Sequence, residues 1–236
     1  MITKLELSIL AQIKPTLQEE KDLKTTTNKC VLKIKKELSA HPIKIIIGGS
    51  LAKDTNLTNN NEVDLFIAFK YLENKTKAAN ISSYLKKALD EAFGTKNITL
   101  MHGSRDYYQV HINSILFEII PIIDIEASNK ALNITDISPL HAKWINKHAQ
   151  GIKDDIRLAK QFAKSARVYG AESYLSGFSG YIIEILTTYY GSFEKLITAA
   201  ASWKTPVVID PTKFYTKQEV FFKINNLSEI FFDPFI

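Results

Sequence analysis

Two carboxylates and a glycine turn are the residues of this chain best placed to do chemistry together. Glu62 and Asp64 stand two residues apart at the head of an apolar run, residues 63–69. On a strand that spacing puts both acids on one face, where they repel each other. A hard divalent cation offsets the repulsion, and Mg²⁺ takes oxygen ligands of this kind while also binding substrate phosphates. Upstream, the isoleucine-rich residues 43–47 end in Gly48 and Gly49, the pattern of a buried strand entering a tight turn. Ser50 then offers a hydroxyl, the following amides can converge on an anion, and Lys53 adds a positive charge, so the turn suits a polyphosphate. Alone, such a turn is usually only a turn, and a Glu-x-Asp pair at a strand start is more often a solvated edge. Their order and spacing make the combination informative.

Further along, Glu118 is the only charged residue between Ile115 and Ile123. A lone carboxylate in a buried strand has to be paired, protonated or metal-bound. Asp124 shares its strand parity and is the alternative partner for the first two acids, with Pro121 between them able to interrupt the register. Arg157, Lys160, Lys164 and Arg167 follow at helical steps with no acid among them. That spacing lays four cations along one face, a stripe suited to phosphate. His141 falls in the first turn of a helix expected over residues 137–148, with Ser138 as its N-cap and Pro139 behind it; by itself it reads as a surface histidine.

The elements that must position these residues are legible in outline. Residues 2–38 carry a helical apolar period broken at Pro15. Residues 81–93 form an amphipathic helix stopped by Gly94. Residues 107–125 read as a β-hairpin turning near Asn113 and Ser114, and the chain from residue 137 onward is strongly helical.

Length and composition bound the rest. With 236 residues, 45% of them apolar, the chain can bury one large core or two modest ones, and two are expected. Thirty Lys and Arg against 25 Asp and Glu give a net charge of +5, a mild basic bias that permits an RNA partner without demonstrating one. The single cysteine, Cys30, excludes an intramolecular disulfide, no Cys/His set has zinc spacing, and a reducing, cytoplasmic setting fits. No apolar run approaches the roughly 20 residues of a membrane helix.

Gly48-Gly49-Ser50 followed by Glu62-Val63-Asp64 resembles the signature of the polymerase-β-like nucleotidyltransferases. In that superfamily a third carboxylate on a neighbouring strand, in an Asp-Val-Val-Pro context, completes the metal site. Glu118-Ile119-Ile120-Pro121 stands at that place, with Glu for Asp. SPLH, KQF, VYGAE, GFSGY, GSFEKL and WKTPVVIDP follow in the order seen in archaeal-type (class I) CCA-adding tRNA nucleotidyltransferases. The likeness runs to about Pro211, beyond which the family's Asp-Pro-Asn-Arg-Asn pattern and its body and tail domains do not follow.

The resemblance implies an α+β fold: a nucleotidyltransferase catalytic domain over residues 1–130, a helical nucleotide- and tRNA-binding domain over 131–204, and a C-terminal extension over 205–236. It implies two Mg²⁺ ions held by Glu62, Asp64 and Glu118. The triphosphate of CTP or ATP is expected at Gly49, Ser50 and Lys53, and further nucleotide contacts at Ser138, His141, Lys160 and Tyr169. The partner is tRNA; either a second chain supplies the body and tail, or the chain is a pared-down enzyme or a fragment, and a homodimer is the other association expected. Competing expectations are a poly(A) or oligoadenylate polymerase, or a catalytically silent tRNA-binding subunit. Phe221, Phe222, Phe231, Phe232 and Phe235 are expected to pack into the core or against a partner.

Overall fold

A computed structural model of the protein describes residues 3–70, 80–170, 177–204, 207–213, 216 and 230–231. The side chains of the five C-terminal phenylalanines lie outside the described residues. Two compact units emerge, residues 14–143 and residues 1–13 with 144–236. The expected boundary lay at residue 130; here the first helix is grouped with residues 144–236.

The first unit is a mixed sheet with helices. Its elements are α2 (Leu17–Glu37), β1 (Ile43–Ile47), the short α3 (Gly49–Lys53), β2 (Glu62–Lys70), α4 (Ile81–Phe93), β3 (Ile98–Met101), β4 (Tyr107–Ile112) and β5 (Ile115–Asp124). The strand order is β1-β2-β5-β4-β3, with only the β2–β5 pair parallel. The expected hairpin is β4–β5, turning at Asn113 with φ 56°. One face of the sheet packs against helices. Tyr108 donates its hydroxyl to Ser82 O of α4 at 2.8 Å, and Val63, Leu65, Ile67, Phe117, Ile119 and Ile123 are buried. α2 turns Leu23, Cys30 and Ile34 inward on its apolar stripe, with Leu38 buried just past its end, and α4 does the same with Ile81, Leu85 and Leu89. The other face of β2 and β5 is apolar at one end only, where Phe66, Ala68, Ile120 and Ile122 cluster with Ile46 and Tyr107.

Two carboxylates hold the loops of this unit. Thr16 and Glu19 form a capping box at the start of α2, so Pro15 sits between helices as expected. The Glu19 carboxylate also accepts from Thr58 Oγ1 at 2.7 Å and Asn59 N at 3.1 Å, tying α2 to the loop before β2. These bonds, led by that to the Thr16 amide, hold its carboxyl down at about 2. Deeper in, Asp136 is fully buried and paired with Arg105. It also accepts from the amides of Ile123 at 2.9 Å, Leu132 at 3.1 Å and Asn133 at 3.0 Å, while Arg105 donates to Pro121 O at 3.1 Å. The β4–β5 ladder ends at Tyr108–Ile119, so the ion pair occupies the edge of β5 where β4 has stopped. Pro121, which has no N–H to give, is tolerated there.

α5 (Ser138–His148) follows a 3-10 turn, and the boundary between the units falls inside it. Ser138 is not the N-cap expected of it: it already has helical angles, φ −51° and ψ −38°, because Asn133 and Asp136 form a capping box that starts the helical backbone earlier. The second unit contains α1 (Lys4–Ile13), α6 (Lys153–Ser165), α7 (Gly180–Tyr190), α8 (Phe193–Ala200) and the short parallel pair β6 (Val208–Ile209) with β7 (Ile230–Phe231). Its core is formed by Ala159, Ala163, Ile183, Leu186, Leu196 and Ile209, with a second cluster of Ile145, Ala149, Ile156 and Ile185. Among the described residues no helix is long and apolar enough to cross a membrane.

Two outcomes follow for the loop carboxylates. Glu19 has a folded-state pKa below its ordinary 4.5, so its stabilisation is complete above that pH and is lost as pH falls towards about 2. Urea midpoints of Glu19→Gln should therefore lie below those of the parent at neutral pH, and the gap should close over that acidic window. Asp136→Ala should cost about 3–5 kcal/mol in urea unfolding, because it leaves a buried guanidinium unpaired.

Candidate active site

Register, more than sequence distance, builds the site. Asp64 on β2 is the direct partner of Glu118 on β5, and Gln109 on β4 lies opposite Glu118 on the other side. Adjacent strands are about 4.8 Å apart, so the two carboxylates stand within reach of one cation. Gln109 Nε2 donates to Glu118 Oε1 at 2.8 Å. Tyr107, two residues earlier on β4, packs on the apolar cluster of the same face. Its phenol pKa is raised, first by burial and then by the charges of Glu118 and Asp64.

The glycine corner lies directly against Asp64. Gly48 N–H donates to Asp64 O at 2.8 Å, continuing the β1–β2 ladder. Gly49 has φ +58°, and a Cβ there would run into Asp64 Oδ2; a Cβ on Gly48 would run into the Phe66 ring. Both glycines are therefore required by close approach to β2, and Gly49 by backbone conformation as well. Asn60 Nδ2 donates to Ser50 Oγ at 3.4 Å, linking the corner to the loop that Glu19 tethers. Lys53, expected at the phosphate, is buried in the last turn of α3, 7% exposed, and the residue has partners within the protein.

Glu62 shares the face of Asp64 one strand repeat earlier and is exposed. Among the described residues no three Asp, Glu, His or Cys side chains are set together as a ready metal cage. The fold thus brings Asp64 and Glu118 together and leaves Glu62 beside them. Asp124 is at the far end of β5, ion-paired to Lys44 at 2.5 Å. The donor set fits Mg²⁺: it is all oxygen, two carboxylates are adjacent, and Mg²⁺ is commonly held by one or two carboxylates with the substrate's phosphates as further ligands. The absence of a Cβ at residue 49 lets the Asp64 carboxylate lie directly against the glycine corner.

The remaining predicted residues divide between the units. Ser138 and His141 belong to the first, and both are half-buried; Lys160 and Tyr169 belong to the second. The cationic stripe is corrected by the structure. Arg157 is 1% exposed and donates to Asp154 Oδ1 at 2.7 Å, and Lys160, 3% exposed, donates to Glu184 Oε1 at 2.6 Å. Only Lys164 and Arg167 remain on the surface, Lys164 with its ammonium 5.1 Å from the centre of the Tyr169 ring. The compensating acids come from the start of the helix and from α7, outside residues 157–167.

The segment Gly-Phe-Ser-Gly-Tyr has a packing reason at each end. A Cβ on Gly177 would strike Val168 O, and one on Gly180 would strike the Tyr169 hydroxyl. Between them Ser179 caps α7, accepting from Ile182 N at 3.2 Å. The segment thus seats Tyr169 over the start of α7, with the Lys160–Glu184 pair nearby.

Three residues escaped the sequence reading. Gln109 and Tyr107 could have been found by counting back from the hairpin turn, since pairing 112 with 115 also pairs 109 with 118. Glu184 had no such signal, because its contact depends on how α6 and α7 pack.

The comparisons with known proteins agree with one another. A family model described as tRNA nucleotidyltransferase, second domain, matches residues 154–235. The CCA-adding enzyme of Nanoarchaeum equitans is 38% identical over 182 residues, covering 76% of this chain and 44% of that protein. The CCA-adding enzyme of Saccharolobus shibatae is 33% identical over 216 residues, covering 89% and 49%. Over most of its length the chain is similar to archaeal CCA-adding enzymes. It spans about half the length of the curated relatives it matches. Among solved structures, CdnC in a complex with HORMA from E. coli MS115-1 aligns with a TM-score of 0.64 at 16% identity, covering 98% of this chain and 81% of that one. A cytoplasmic RNA terminal U-transferase aligns at 0.58 and 15%, covering 80% and 53%. At that identity the likeness shows the shared fold alone.

In this relative of the CCA-adding enzymes, Gly49→Ala should destabilise the first unit by about 1–3 kcal/mol through its positive φ and the collision with Asp64. Urea unfolding measures the loss, and Mn²⁺ titration should show weaker binding in the same variant.

Proposed function

We propose that this chain transfers nucleotidyl groups from CTP and ATP to the 3′ end of tRNA lacking its CCA, with release of pyrophosphate. The observation that carries the reading is the row of Asp64 and Glu118 under the Gly49 corner. Asp64 and Glu118 would hold Mg²⁺, with Glu62 on the same face as the third carboxylate. When bound, the metal ions lower the pKa of the attacking 3′-hydroxyl and neutralise charge on the triphosphate and the leaving pyrophosphate. The chain's own part is placement. Ser50 and the amides of the glycine corner hold phosphate oxygens, with Lys53 as a buried charge beneath them. Ser138 and His141 supply further contacts in the sheet-bearing unit, and Tyr169 offers an aromatic face in the helical one. Lys160 would meet a phosphate only by exchanging it for the Glu184 carboxylate. The reaction forms one bond between the 3′-oxygen and the α-phosphorus, breaks the bond to pyrophosphate, and releases the hydroxyl proton.

The test is incubation of the purified chain with a tRNA transcript lacking CCA, labelled CTP or ATP, and Mg²⁺. Asp64→Ala and Glu62→Ala should each lower incorporation on the order of 100-fold or more, the scale for removing a group that stabilises transition-state charge. Wild-type incorporation in either variant would remove that residue from the metal site. Long A-tracts added to any RNA would replace CCA addition with poly(A) synthesis. Incorporation seen only when a second polypeptide is added would make that chain a required partner.

A further inference from the structure

We infer that Gln109 is a positioning residue for the Glu118 carboxylate, fixing one oxygen so that the other is presented to a divalent cation beside Asp64. The inference rests on the reading of Glu118 as a metal-holding residue. The two side chains face each other across β4 and β5, and the amide donates to Glu118 Oε1 at 2.8 Å. Glutamate has three side-chain torsions, and immobilising such a chain carries an entropy cost. A residue that orders it beforehand removes part of that cost from cation binding. The chemistry of the amide suits the task. Lysine or arginine here would form an ion pair and cancel the charge that a cation needs, whereas glutamine donates one hydrogen bond and leaves the negative charge in place. Tyr107 closes the same side: its ring is packed on Phe66, Ala68, Ile120 and Ile122, and its phenol feels both carboxylates. The extra methylene of Glu118, relative to an aspartate, extends its carboxylate to the position where Gln109 bonds it at 2.8 Å, and Glu118→Asp draws that acceptor back.

The experiment measures Mn²⁺ binding directly, from the free-ion electron paramagnetic resonance signal, in parent, Gln109→Ala, Gln109→Met, Glu118→Ala, Glu118→Asp and the double variant Gln109→Ala/Glu118→Asp. Urea midpoints control for folding, and Gln109→Met keeps the side-chain volume if the alanine variant does not fold. Removing the amide should weaken Mn²⁺ binding about 10-fold, at the low end of the range for a residue that orients a metal ligand, with the urea midpoint of the methionine variant unchanged. In the Glu118→Asp background the alanine substitution should change binding less than about twofold, the non-additivity expected of residues that act through one contact. Parent-like Mn²⁺ binding in Gln109→Met, with loss in Glu118→Ala, would overturn the inference and leave the metal reading standing. An equal loss in both backgrounds would also overturn it, since Gln109 would then not be acting through Glu118. Unchanged binding in Glu118→Ala would overturn both.

Discussion

The parallel pairing of β2 with β5 is the constraint on which the site depends, because it alone sets Asp64 next to Glu118. Two carboxylates at one strand spacing repel each other, and a fold keeps such a pair only where something else holds the strands together. Here the holding force is on the opposite face. Val63, Leu65 and Ile67 of β2 and Phe117, Ile119 and Ile123 of β5 are buried on the side facing the helices. Burial of side chains of this size stabilises by about 1.5–3 kcal/mol each, so the apolar face outweighs the repulsion on the other. The same alternation that faces isoleucine to the helices therefore faces carboxylates away from them.

Around this pair, the irregular backbone is held by side chains. Glu19 reaches from α2 to Thr58 and Asn59, Asn60 reaches to Ser50, and Asn61 O accepts from Leu116 N at 2.7 Å. The loop that delivers Glu62 and Asp64 is thus fastened to a helix, to the glycine corner and to β5. At the other end of β5, Arg105 and Asp136 satisfy the strand edge that β4 leaves. A buried ion pair contributes little net stability relative to an apolar replacement, but breaking it is costly, and here three backbone amides depend on the same carboxylate.

The helical unit uses charge inward as well. Arg157 and Lys160 lie on α6 where a solvated face would be drawn from helical spacing, yet both are buried against acids. Their long stems pack among the apolar side chains while their heads are paired. Tyr169 sits beside this pair because Gly180 offers no side chain to keep its hydroxyl away.

The sequence by itself determined the local devices. Isoleucine runs, the glycine corner, the Glu-x-Asp spacing, the Gly94 stop and the hairpin turn each follow from period, turn chemistry and backbone freedom, which act over a few residues. It also singled out Glu118 as an isolated carboxylate in an apolar run, with Asp124 as the alternative. The tertiary structure alone decided which strands became neighbours, and so placed Asp64 against Glu118, set Asp124 at the far end with Lys44, and gave Gln109 its contact. It likewise decided that Asn133, and not Ser138, caps the helical backbone there, and that Lys160 meets Glu184 from another helix. The reason is physical: a residue's charge and shape are local, but its partner is chosen by how sheets pair and helices pack, and those choices are made by the whole buried surface at once.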